Sequence, residues 1–135
     1  MTTRQPHFIG IDLGLIDGTT IAIGHLDEQK QIVADLVDHQ RLDKLDAVAD
    51  WILNLSQQYY FVKGMFDQWL GVAFEQALAK RGLRQLELKY MTKDFVSELD
   101  RNFELYAPNK YNVRSDALAR MVWLASRTYD QGEQK

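Results

Sequence analysis

The chemistry open to this chain rests on a few acids placed where apolar segments end. Asp12 stands in Phe8-Ile9-Gly10-Ile11-Asp12-Leu13-Gly14, a run rejoined by Thr19-Thr20-Ile21-Ala22-Ile23-Gly24. A carboxylate among such residues is costly to bury unless something cationic meets it, so the position suits a metal ligand. Asp67, in Met65-Phe66-Asp67-Gln68-Trp69, follows a second apolar run, at the point where a strand hands over to a helix. Open α/β sheets gather ligands outside such strand ends. Asp116, in Arg114-Ser115-Asp116-Ala117-Leu118-Ala119-Arg120, opens the last helix beside alanines that permit close approach to a sheet.

Each acid also has a plain structural role. Asp12 can end a strand and hydrogen-bond its turn, and Asp67 can cap a helix. Asp116 can form an exposed ion pair with Arg120 four residues on. Glu75, next to the stripe of Phe74 and Leu78, is a weaker candidate, because long acids on helix faces are usually solvated.

Composition narrows the ion. With no cysteine in the chain, disulfides, thiolate zinc sites and cysteine nucleophiles are excluded. His7, His25 and His39 fall in different elements, which argues against a histidine-rich zinc site. The remaining expectation is a hard cation on oxygen ligands, Mg2+ or Mn2+. A formal net charge of -3 argues against broad electrostatic capture of nucleic acid but is compatible with a locally acidic, cation-filled site. Of the basic residues, Lys63, Lys80, Arg81, Arg84, Lys89, Lys93 and Arg114 either line a groove or are ordinary solvated charges.

The elements that must position these acids follow from periodicity. The two apolar runs form a β-hairpin whose bridge, Leu15-Ile16-Asp17-Gly18, carries an Asp-Gly turn signal. A third strand is expected within 30–40 after the Asp27-Glu28-Gln29 turn. Leu45, Val48, Ala49, Ile52 and Leu55 then recur at helical spacing behind Asp43, a candidate N-cap. A buried strand over 59–66 leads to a helix with Leu70, Ala73, Phe74, Ala77 and Leu78 on one face and Gly82 at its stop. Leu86, Leu88 and Tyr90 alternate as a strand. Thr92 caps a helix carrying Phe95, Val96, Leu99 and Phe103, and a last helix over about 113–127 has Leu118, Met121, Val122 and Ala125 as its stripe. Trp51 and Trp123 read as packing residues. A sheet of this order sets the first strand beside the fourth, which would bring Asp12 and Asp67 together.

The hairpin suits two kinds of site: a metal site beside a scissile phosphate, as in RNase H-like nucleases, or a phosphate wrap, as in sugar-kinase and actin-like ATPases. At 135 residues the chain fits one domain, half of what a two-lobed ATPase needs, and it has no Gly-x-x-x-x-Gly-Lys-Ser/Thr loop. Nor does it carry a signal peptide or an apolar run of about 18 residues, so a cytoplasmic protein without membrane attachment is expected.

Taken together, four segments resemble the nuclease domain of phage terminase large subunits, which has an RNase H-like fold. They are Gly10-Ile11-Asp12-Leu13-Gly14 with Thr19-Thr20, Phe66-Asp67-Gln68-Trp69, Lys89-Tyr90-Met91-Thr92-Lys93, and the Asp116 segment, spanning about 8–126. The resemblance implies an α/β domain over 1–135, ordered over about 7–128, with a mixed central sheet, a three-strand antiparallel meander and flanking helices. It also implies three acids holding two divalent metals for DNA cleavage, with Asp12 and Asp67 matching the first two and Asp116 the later Asp of the pattern. The implied partners are DNA and a separate ATPase motor or other packaging proteins, in the host cytoplasm if the chain is phage-derived. Two departures stand out. The acidic pair that relatives place before the Asp-Ala-Leu-Ala stretch reads Tyr111-Asn112-Val113, and the connection from Phe103 to Asn112 is short. An RNase H-like module that binds nucleic acid or protein without cutting, and a nuclease acting on branched DNA or RNA, are the competing readings.

Overall fold

The hairpin forms as its alternation dictates. In the computed structural model, which describes residues 4–66, 71–84, 86–88, 117, 118, 120–122, 124 and 125, β1 (Pro6–Asp12) pairs antiparallel with β2 (Thr19–Leu26). Gly18 supplies the turn with φ +106. Thr19, fully buried, closes the loop from inside: its Oγ1 accepts from the Gly14 amide at 3.1 Å and donates to the Gly14 carbonyl at 3.2 Å. β3 (Ile32–Gln40) adds antiparallel to β2. Asp27 shapes the turn before it by accepting from the amides of Gln29 and Gln31.

Helix α1 (Leu45–Leu55) buries Val48, Ala49 and Ile52. Its N-cap is Lys44, with no side-chain cap bond, so Asp43 does not take the capping role its position suggests. β4 (Tyr60–Phe66) then crosses back to lie parallel beside β1, as the element order requires. Helix α2 (Gly71–Lys80) buries Phe74, Ala77 and Leu78, whereas Ala73 is exposed. α2 ends as Gly82 implies: with φ +81 at Gly82, the Leu83 amide reaches the Leu78 carbonyl and the Gly82 amide that of Ala79, a Schellman stop. β5 (Leu86–Leu88) extends the sheet, whose order is β3-β2-β1-β4-β5.

The sheet has an apolar layer on each face. Ile9, Ile11, Ile21 and Ile23 point to α1 and α2, while Phe8, Ala22, Ala34 and Met65 meet helical residues between 117 and 125. Leu118, Met121, Val122 and Ala125 are all buried there, as their spacing predicts. Trp51 packs against the first layer. The helix over 92–103, the loop to 112 and Trp123 lie outside the described residues. Arg81 joins the two helices instead of facing a groove, bonding Asp50 at 2.8 Å and Asp46 at 3.2 Å on α1. The Asp50 bond chiefly, with the nearby carboxylate charges, raises its pKa further. Among the described residues, no helix is long and apolar enough to cross a membrane.

The C-terminal helical segment lies unusually close to β1. A Cβ on Gly10 would collide with the Ala117 carbonyl and come within 2.6 Å of the Met121 nitrogen, both backbone atoms. Ala117 was expected to allow this approach, but the strand contributes as much by having no side chain there. Gly10→Ala should therefore cost about 3 kcal/mol, since backbone cannot step aside as a flexible side chain can. Urea denaturation of the two proteins checks this.

Candidate active site

Asp12 is the last residue of β1, the strand with neighbours on both sides at the centre of the sheet. Strand alternation turns it to the face that carries the C-terminal helical segment, opposite Thr20 on β2. Its side chain is 45% exposed, so one side of the carboxylate opens to solvent. From the other side comes the cation that a carboxylate in this setting needs. Arg120, only 2% exposed, places Nη1 3.6 Å from Asp12 Oδ1 and donates to the Ile11 carbonyl at 2.6 Å.

This contact corrects the expectation for Arg120. Instead of an exposed partner for Asp116, it is a buried side chain directed at the end of β1. A buried guanidinium carries a desolvation penalty of several kcal/mol, which the Ile11 carbonyl and Asp12 offset. Sequence spacing could not show this, because the pairing spans 109 residues. Asp67 and Asp116 lie outside the described residues. Glu75 is exposed on α2.

Beside Asp12, the rim is built by a row across the meander. Thr20 Oγ1 is 2.8 Å from His39 Nδ1, and His39 Nε2 is 3.1 Å from the Asp17 carbonyl. Because a carbonyl only accepts, Nε2 carries the proton and the Thr20 hydroxyl donates to Nδ1. The hairpin loop is thus tied to β3 next to the candidate acid.

A second cluster escapes sequence reading. His7 and His25 were set apart by their separate elements, yet on the adjacent strands β1 and β2 they converge with Asp35 of β3. Sheet pairing, not sequence proximity, brings them together.

No family model and no curated protein sequence matches the chain. Solved structures do. The large terminase nuclease of thermophilic phage G20c with bound magnesium superposes with TM-score 0.66 at 16% identity, covering 93% of this chain and 82% of that one. Thermus thermophilus RuvC in complex with a Holliday junction substrate gives TM-score 0.65 at 10% identity, over 93% of this chain and 95% of that one. The fold is RNase H-like. The terminase-type motifs and the element order thus point to the architecture observed. At this identity the likeness fixes the fold and leaves the activity to the residues themselves.

Those residues make two predictions. Arg120→Met should destabilise the protein by about 3 kcal/mol, since it removes the donor of the Ile11 carbonyl and the buried cation beside Asp12. Asp12→Asn should lower metal-free stability by about 1 kcal/mol, because a guanidinium loses its anion. That sign is opposite to the stabilisation expected if Asp12 faced only other acids. Chemical denaturation in the presence of a chelator measures both.

Proposed function

We propose that this chain is a divalent-metal-dependent DNA endonuclease, a single nuclease-type domain over 1–135, with Asp12, Asp67 and Asp116 as its metal-holding acids. The observation that carries the reading is Asp12 itself, half-exposed at the end of the central strand and beside β4, the strand that leads into Asp67. The β1–β4 pairing runs parallel as far as Gly10 with Met65, and Asp67 follows β4 directly in the sequence. Asp116 stands four residues before Arg120 in the sequence. An all-carboxylate donor set suits Mg2+ or Mn2+.

Two such ions, when bound, supply an activated water and a stabilised leaving oxygen. The protein's contribution is placement. Arg120 fixes the end of β1 through Ile11 and holds Asp12 from its buried side. Gly10 lets the helical segment come near enough for that grip. A separate ATPase motor or packaging proteins would be the partners of a terminase-type enzyme.

The same guanidinium supports a second reading. Arg120 already meets Asp12 with positive charge, and Asn112-Val113 replaces the usual acids, as in a module that binds nucleic acid or a protein without cutting. The substrate is also open to test, since the superposition covers RuvC as fully as it covers the terminase nuclease.

The experiment compares supercoiled plasmid with a four-way junction, each with Mg2+ or Mn2+. Cleavage that Asp12→Asn abolishes is expected, and the preferred DNA separates the terminase-type from the junction-type enzyme. Asp116→Asn should abolish cleavage while leaving the fold intact, which circular dichroism checks. DNA binding without cleavage by the wild type would establish the binding module instead.

A further inference from the structure

The cluster of His7, His25 and Asp35 lies on the opposite face of the sheet from Asp12 and at the other end of β1. His7 shares the face of Ile9 and Ile11, and five residues of strand, roughly 17 Å, separate it from Asp12. Asp35 reaches this face through a β-bulge. Ile23 pairs with Leu36 but Gly24 with Ala34, so Asp35 is the extra residue, and a bulge of this kind re-aims a side chain. His7 Nε2 stands 3.3 Å and His25 Nδ1 2.7 Å from the same atom, Asp35 Oδ2.

The protonation of His7 decides what this convergence means. His7 Nδ1 lies 2.9 Å from the Gln5 carbonyl, which can only accept, so Nδ1 carries the hydrogen. In the neutral ring, Nε2 then presents a lone pair to a carboxylate oxygen. Two acceptors facing each other at this distance repel unless a cation lies between them, either a proton or a metal ion. An Nδ1–H bonded to a backbone carbonyl is also the outer-shell arrangement that orients a metal-binding imidazole.

We infer that His7 Nε2, His25 Nδ1 and Asp35 form a second metal site, specific for a borderline transition cation such as Zn2+ and separate from the acid site at Asp12. Two imidazoles and one carboxylate select this class over Mg2+ or Ca2+. The three ligand atoms all lie within 4.8 Å of one another. Tetrahedral bonds near 2.0–2.1 Å put ligand atoms roughly 3.3 Å apart, the separation found between His7 and Asp35. The closer His25 contact is a hydrogen bond in the metal-free protein and opens by about half an ångström when an ion replaces its proton. The side chains are 12%, 22% and 19% exposed, which gives an entry path and room for a water as fourth ligand. Tyr59, edge-on to His7 at 5.2 Å, walls one side. A bound ion would tie β1, β2 and β3 together at the end of the meander that the hairpin loop leaves open.

The test uses Asp12→Asn protein, which removes the acid site from the readout and makes the result independent of nuclease activity. Titration with Co2+ should show one equivalent bound with visible d–d absorption, displaced by Zn2+ but not by Mg2+. Zinc at about 100-fold above Kd should raise Tm by on the order of 10 °C. His7→Gln and Asp35→Asn should each remove the absorption and the shift. Should either variant fold poorly, imidazole 15N resonances of the histidine-labelled Asp12→Asn protein decide instead: zinc should move His7 Nε2 and His25 Nδ1 and leave His39 unchanged. Protonation of His7 without metal-induced shifts, or cobalt binding that survives His7→Gln, would overturn the inference.

Discussion

A buried guanidinium holds the candidate site together. Arg120 comes from a helical segment on one face of the sheet and ends on the Ile11 carbonyl and Asp12, at the tip of the central strand. Its burial is tolerable only while those partners stay in place. The helical segment, the strand end and the exposed acid are therefore coupled, and the geometry of Asp12 cannot change without disturbing the packing of the C-terminal layer.

That coupling depends on close approach. Gly10 sits two residues before Asp12 on the same face, and its missing side chain brings the backbone at Ala117 and Met121 against β1. Packing and polar contact thus occupy successive positions of one strand. The loop on the other side of Asp12 is fixed independently, by the buried Thr19 hydroxyl and by His39 reaching across from β3. The strand end that carries Asp12 is thus held from both sides by groups that are themselves fixed.

The meander serves both ends of the sheet differently. Near Asp12 it supplies the row of Thr20, His39 and the Asp17 carbonyl. At the start of β1, the bulge at Asp35 gathers two imidazoles around one carboxylate on the helix-covered face.

Local pattern carried much of this in the sequence. Alternation around Gly10 and Ile23, helical spacing in α1 and the Gly82 stop depend on neighbours within a few residues, so they could be read directly, and the element order implied that β1 lies beside β4. The need of Asp12 for a cationic partner was legible for the same reason, as an acid where none is cheap, and the structure meets it with Arg120. What only the tertiary structure decided involves residues far apart in the chain. Arg120 looked like an exposed helical partner for Asp116, because spacing shows i,i+4 neighbours but not which face a fold buries. His7 and His25 looked scattered and Asp35 did not stand out, because strand pairing and a one-residue bulge determine which side chains share a face, and neither leaves a local mark in the sequence.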